Sequence, residues 1–210
     1  PGGTGLKRME LLLNELDNPQ DFFQSVHIAG TSGKGSTSYM LESILREAGY
    51  TTGLHISPHV VSIKERMQVG GALVGDTEFV HLTSQVKDAI EKVNGLGLGN
   101  VTYFEAVVAM SFEYFRQKGV DIAVIETGMG GTFDGTNVIQ SLISIMTPIS
   151  FDHIEILGHT LAEIADQKAG IIKETNRVVI SARQDAEVFD VLKKRAREKG
   201  TIILTEGEHF

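Results

Sequence analysis

Short runs of consecutive apolar residues alternate along this chain with segments whose apolar positions recur every three or four residues. The runs Val26–Ala29, Thr52–Ile56, Val120–Glu126, Leu142–Thr147, Arg177–Ser181 and Thr201–Thr205 predict strands. Two of them, Val120-Asp-Ile-Ala-Val-Ile-Glu126 and Leu142-Ile-Ser-Ile-Met146, are almost unbroken, as central parallel strands covered on both faces should be. Between the runs lie helical patterns with visible start signals. Asp76 precedes a stripe of Phe79, Leu82, Val86, Ile90 and Val93. Thr102 and Glu105 have capping-box spacing ahead of Phe104, Val107, Val108 and Phe115, and Thr160 with Glu163 repeats the device. Asp185 opens a last helix with Phe189, Leu192 and Ala196 inward, leaving Lys193, Lys194, Arg195, Arg197 and Lys199 as its solvated face. Helices between buried strands mean βαβ crossovers, so the expected fold is α/β with a mostly parallel, doubly wound sheet. The tract Asn94-Gly-Leu-Gly-Leu-Gly-Asn100 reads as a loop, and no internal repeat or linker divides the chain.

Composition narrows the function classes. Hydrophobic residues are 41% and charged residues 22% of the 210, which excludes a disordered or fibrous chain. No apolar run approaches the roughly 18 residues of a membrane-spanning helix. With zero cysteines there is no disulfide framework and no thiolate nucleophile or metal ligand. That fits a reducing compartment, and with no signal-like segment after Pro1 the expected location is cytoplasmic in a trimmed or tagged chain. Nineteen basic against 27 acidic residues, net −8, argue against nucleic acid as a partner. An anionic small molecule stays open, since a few backbone amides and one lysine can make a local anion site. Glycine, 23 residues, is in excess and clustered, which points to loops where backbone must approach something closely.

The strongest chemical signal is Val26-His-Ile-Ala-Gly-Thr-Ser-Gly-Lys-Gly-Ser-Thr37. A short apolar strand enters a glycine loop with a lysine and hydroxyls, and a helix follows with Met40, Leu41, Ile44, Leu45 and Ala48 expected as its buried stripe. Gly49 stops that helix. This P-loop arrangement suits a polyphosphate: glycines let amides turn inward, the helix N-terminus adds its dipole, and lysine supplies a point charge. The spacing is unusual. Gly30 stands three residues before Gly33 rather than five, and Gly35 follows Lys34 where a Ser or Thr is common, so Ser36 is left as the candidate metal-facing hydroxyl.

Groups able to hold a divalent cation sit at the carboxyl ends of the expected strands, where open α/β sheets bind ligands. Glu126 ends one strand and is followed by the thin loop Thr127-Gly-Met-Gly-Gly131. His153 follows the next, in Ser150-Phe-Asp-His153, and Ser57 follows a third, in Ile56-Ser-Pro-His59. Oxygen ligands beside a triphosphate suit Mg²⁺; imidazole is less usual for it. Singly each also reads plainly: an edge carboxylate, a loop histidine, a turn serine before proline. These residues point to ATP-type phosphoryl transfer and leave the acceptor open. The Asn-Lys-x-Asp guanine signature is absent, and the 128–131 glycines lack dinucleotide-fold spacing.

The segments 27–38 (HIAGTSGKGSTS), 48–71 (AGYTTGLHISPHVVSIKERMQVGG), 102–115 (TYFEAVVAMSFEYF), 120–137 (VDIAVIETGMGGTFDGTN) and 149–173 (ISFDHIEILGHTLAEIADQKAGIIK) resemble, in order, the Mur ligase superfamily and within it the folylpolyglutamate synthase/dihydrofolate synthase family. Residues 5–20 resemble that family's leading helix. The resemblance implies an ATP-dependent amide ligase. A substrate carboxylate attacks the γ-phosphate of Mg-ATP, and the amine of L-glutamate then displaces phosphate from the acyl phosphate. Acceptors would be a reduced folate and, in bifunctional members, dihydropteroate. It implies that Gly30, Thr31, Ser32, Gly33, Lys34, Gly35 and Ser36 cradle phosphates and that Ser57, Glu126 and His153 ligate Mg²⁺. It further implies that Lys168 is carbamylated, and that Thr102, Phe104 and Asp134 line the pterin site. On the residues alone, Lys168 answers a helix dipole, Thr102 caps a helix, Phe104 belongs to the core and Asp134 forms a turn. A monomer is usual for the family.

Two departures from the family pattern matter. Thr132 stands where an arginine is usual, removing a cation beside the substrate loop, and Gly135 is expected to loosen that loop. Family members also carry a C-terminal Rossmann-like domain, so residues 1–210 are expected to be the N-terminal ATP-binding domain without it. Two rival functions remain at this point: another Mur-type ligase acting on a peptidoglycan precursor, and a nucleotide-binding module without turnover.

Overall fold

The computed structural model describes residues 2–210, whose strands form one eight-stranded sheet. In chain order the elements are α1 Gly2–Asn14, β1 Gln24–Ala29, α2 Lys34–Glu47, β2 Thr52–His55, β3 Gln68–Val69, β4 Ala72–Leu73, α3 Asp76–Asn94, α4 Tyr103–Gln117, β5 Ile122–Glu126, β6 Ile143–Met146, α5 Ile154–Leu157, α6 Leu161–Ala169, β7 Val178–Ser181, α7 Ala186–Glu198 and β8 Ile202–Thr205. The sheet runs β4-β3-β2-β5-β1-β6-β7-β8 and is parallel from β2 to β8. The expected α/β, mostly parallel architecture is therefore present, with every expected strand found within two residues of its expected ends.

The antiparallel hairpin β3–β4 was not visible in the apolar pattern, because each strand is only two residues long. Its turn is Gly70-Gly71, with φ of 59° and 78°. Positive φ at both central positions of a two-residue turn is what glycine permits at little cost.

Side chains alternate between two layers. Ala123 and Ile125 of β5 face α1, α3 and α4, where Leu12, Leu82, Phe112 and Phe115 are fully buried. Each such side chain contributes about 1.5–3 kcal/mol relative to exposure. Val26, Ile28, Leu54, Ile122 and Val124 face the other way, against Leu41 and Leu45 of α2. A third cluster joins β6 and β7 to α6 and α7. Arg8 of α1 ties the first layer together, donating from Nη2 and Nε to Glu105 at 2.7 and 2.9 Å and from Nη1 to the carbonyl of Leu98 in the glycine-rich loop.

Two expected stripes hold only in part, since Leu41 and Leu45 of α2 and Leu192 and Ala196 of α7 face inward but their expected neighbours do not. In α2, Met40 and Ile44 are 60% and 65% exposed and Ala48 is exposed too, while Ser38 and Glu42 are buried. The helix is rotated so that Gly35, Ser38 and Glu42, spaced i, i+3, i+7, face inward. A Cβ on Gly35 would lie 3.6 Å from the Glu126 carboxylate, and Glu42 accepts a 2.5 Å hydrogen bond from the Thr52 hydroxyl. Small and polar residues thus let the start of α2 close on the strand ends, at the expense of burying its larger apolar side chains. In α7 the inward positions are Val188, Leu192 and Ala196; Phe189 is partly exposed and lies under the Lys193 ammonium, 4.2 Å from the ring centre.

Candidate active site

Strand β1 lies between β5 and β6, so the carboxyl ends Ala29, Glu126 and Met146 converge at the mouth of the glycine loop. Gly30 leaves β1 with φ 153°, and a Cβ there would stand 1.9 Å from Thr147 Oγ1 and 2.9 Å from its carbonyl. Only glycine lets β1 turn this close to the end of β6. Thr31 and Ser32 then donate their amides to the carbonyl of Pro148, at 2.9 and 3.3 Å, and the Thr31 hydroxyl donates to Ser150 O. These two of the seven expected cradle residues are thus engaged with protein. The amides left for an anion are those at the start of α2: Gly33 is left-handed at φ 83°, and Lys34, Gly35 and Ser36 occupy a first turn whose N–H groups have no intrahelical acceptor. The dipole adds to them.

Glu126 faces this turn and is 4% exposed. Burial raises its pKa; the Ser57 amide, which donates to Oε2 at 3.1 Å, and the nearby Lys34 charge act against the rise. Ser57 Oγ is buried and has no hydrogen-bond partner among the described residues. An unsatisfied buried hydroxyl beside a buried carboxylate is an oxygen donor pair suited to Mg²⁺, so these residues fit the cation. His153 is not joined to them. It caps the short α5 with φ 43°, is half exposed, and places Nε2 3.4 Å from Asp152. No group of three His, Asp or Glu side chains among the described residues forms a metal cluster by itself.

Lys168 lies in the last turn of α6, yet it does not answer that helix's dipole at the surface. It is 1% exposed, donates to the Gly30 carbonyl at 2.9 Å and approaches Asp152 Oδ2 at 3.3 Å. Burial lowers its pKa, and Lys34 adds to that; Asp152 opposes it. Its partner Asp152 was missed in the sequence, where the neighbouring histidine drew attention instead.

Thr102, Phe104 and Asp134 come together around a cavity of about 420 Å³ that also reaches Ser57, Pro58 and Arg66. Thr102 is both the expected N-cap, accepting from Glu105 N at 3.3 Å, and part of the cavity wall. A Cβ on Gly128 would sit 2.6 Å from the Phe104 ring, so the thin loop after β5 is what leaves that ring its place. Asp134 is buried and accepts from Met129 N, Thr136 N and the Thr136 hydroxyl at 2.8, 2.9 and 2.5 Å. Burial raises its pKa against those bonds. The loop is not loosened by Gly135. Thr132 donates from N and Oγ1 to the Gln167 carbonyl at 2.7 and 3.0 Å, and Asn137 Nδ2 bridges the Thr132 and Gly170 carbonyls. Threonine in place of arginine therefore pins the loop to the end of α6. Two larger grooves, of about 640 and 740 Å³, hold none of the candidate residues.

Comparison with known proteins agrees with this geometry. The Mur ligase middle domain model matches residues 28–209. A dihydrofolate synthase/folylpolyglutamate synthase of Bacillus subtilis is 42% identical over 193 residues, covering 91% of this chain and 45% of that protein. Mycobacterium tuberculosis folylpolyglutamate synthase complexed with ADP and AMPPCP superposes with a TM-score of 0.93 at 33% identity, over 97% of this chain and 47% of that one. A folylpolyglutamate synthase–AMPPCP–folate complex gives 0.92 at 35%, over 98% and 50%. The chain thus spans about half the length of the relatives it matches. It belongs to the Mur ligase middle domain family, in the folylpolyglutamate/dihydrofolate synthase group of that superfamily.

Proposed function

We propose that this chain is the ATP-binding part of a ligase that joins L-glutamate to the carboxylate of a reduced folate, with dihydropteroate as a second acceptor if the enzyme is bifunctional. The observation that carries the reading is the meeting of three things at one sheet edge: the open amides of α2, the Ser57–Glu126 oxygen pair, and a 420 Å³ cavity walled by Thr102, Phe104 and Asp134. A phosphoryl donor and a carboxylate acceptor can meet there. The relatives are named for this activity, and solved ones hold AMPPCP or folate.

In this reading the first turn of α2 and Lys34 hold the β- and γ-phosphates, and the acceptor carboxylate attacks the γ-phosphorus to give an acyl phosphate and ADP. The glutamate amine then attacks the acyl carbon and phosphate leaves. Because such transfer depends chiefly on alignment and charge neutralisation, fixed amides and the Lys34 ammonium are the groups it needs. Ser57 and Glu126, with His153 moving in, would hold Mg²⁺, which would neutralise phosphate charge. Carbamylation of Lys168 needs a neutral amine; burial favours that form. Ligation would also need the part of the relatives' length that this chain does not span. Among the described residues no helix is long and apolar enough to cross a membrane, and we place the protein in the cytoplasm as a monomer.

The test is acceptor-dependent ADP release by the full-length gene product with L-glutamate present. Release with a reduced folate or dihydropteroate supports the reading; release only with a peptidoglycan precursor overturns it.

A further inference from the structure

Arg66 ends the 3₁₀ turn Ile63–Arg66 at the rim of β3 and is 8% exposed, yet its charge is matched by no acidic partner among the described residues. The guanidinium is held on one side only. Nε donates to His59 Nδ1 at 2.9 Å, and the group lies over the Tyr103 ring, 5.6 Å from its centre. Nη1 and Nη2 donate to no protein atom among the described residues, while the side chain lines the 420 Å³ cavity.

Every nearby carboxylate is already engaged: Glu126, which feels the Arg66 charge, takes the Ser57 amide and faces the start of α2. Glu65 accepts the amides of Val60, Val61 and Ser62 at 2.7–2.9 Å. Glu105 is paired with Arg8 and the Thr102 amide. Asp134 takes its three hydrogen bonds from the loop it organises. A buried charge is normally paired, because desolvation without a partner is costly. Here the missing partner faces an open cavity, in a chain where Thr132 supplies no second cation to that loop.

From this we infer that Arg66 is a substrate-specificity residue whose Nη1 and Nη2 receive the carboxylate of the acceptor, opposite the end of the cavity walled by Asp134. The fork geometry of a guanidinium suits a carboxylate in two parallel hydrogen bonds. The inference rests on the proposed folate reading and adds to it which residue reads the acceptor's charge.

The test uses the full-length gene product and two probes, pteroate and its carboxamide, which differ by that charge. Affinity for a non-hydrolysable ATP analogue is measured alongside. Wild type is expected to prefer the acid by roughly 10- to 100-fold, the span of charge-assisted hydrogen bonds. Arg66→Gln should erase the preference while leaving carboxamide and ATP-analogue binding unchanged, and Arg66→Lys should keep part of it. Equal binding of acid and amide by wild type, equal losses for both in the variants, or a loss confined to the ATP analogue overturns the assignment and leaves the folate reading standing. Wild type that binds neither pterin compound overturns the assignment, and failure to bind a reduced folate as well overturns both.

Discussion

The ammonium of Lys168 donates to the carbonyl of Gly30, 2.9 Å away, so the last turn of α6 is fastened to the first residue of the glycine loop. One hydrogen bond thereby joins the glycine loop after β1 to the element that also holds Thr132 and Gly131 of the loop after β5. A Cβ on Gly131 would meet the Lys168 carbonyl at 2.6 Å, which shows how tightly the two sides are locked.

Lys34→Ala should abolish ATP binding or phosphoryl transfer, while Lys193→Ala on the solvated face of α7 should change nothing. Equilibrium titration with an ATP analogue separates the two, and equal effects would refute the placement of the phosphate loop.

Ser57→Ala removes a buried hydroxyl that has no partner among the described residues. The melting temperature should hold or rise slightly, since no intramolecular hydrogen bond is lost, while Mg²⁺-dependent turnover falls by about ten-fold or more, the size of one lost charge-assisted contact. Unchanged Mg²⁺ dependence would remove Ser57 from the cation site.

Gly128→Ala would drive a methyl group against the Phe104 ring and narrow the acceptor cavity. Strain of this kind costs about 1–3 kcal/mol. KM for the acceptor should rise with KM for ATP little altered; a rise in the ATP value alone would contradict this arrangement.

Lys173 donates to the carbonyls of Asn137 and Ile139 at 2.6 and 2.5 Å, and burial, with the Lys199 charge, lowers its pKa to about 8. Between about 8 and its ordinary value of 10.5 the unfolded chain binds more protons at this lysine than the folded one. This group's contribution to stability therefore rises with pH across that window. Urea midpoints at pH 7.5 and 10 should show a smaller alkaline gain, or a larger alkaline loss, in Lys173→Met than in wild type.

The strands were legible because Val120–Glu126 and its neighbours are buried on both faces and carry uninterrupted apolar side chains. Their order was less so. A two-residue hairpin such as β3–β4 has too few positions for a period, and only Gly70-Gly71 announces it. The stripe of α2 misled because apolar spacing locates a helix but not its rotation, and here rotation follows the close approach of Gly35 to Glu126. The phosphate loop and Ser57 at its strand end could be read from the residues, whereas the roles proposed for Asp134 and Lys168 came through resemblance, since a turn aspartate and a helix-end lysine each have an ordinary explanation. Arg66 and Asp152 escaped notice because burial and the lack or choice of a partner are properties of the folded chain.

The central claim is that an acceptor carboxylate takes the γ-phosphoryl group at this strand edge, and oxygen transfer tests it most directly. A reduced folate or dihydropteroate labelled with ¹⁸O in its reacting carboxylate is turned over by the full-length gene product with ATP and L-glutamate, and the released phosphate is weighed by mass spectrometry. Passage through an acyl phosphate leaves one carboxylate oxygen on each phosphate, so label should appear there in step with product. Ligation with unlabelled phosphate would contradict it.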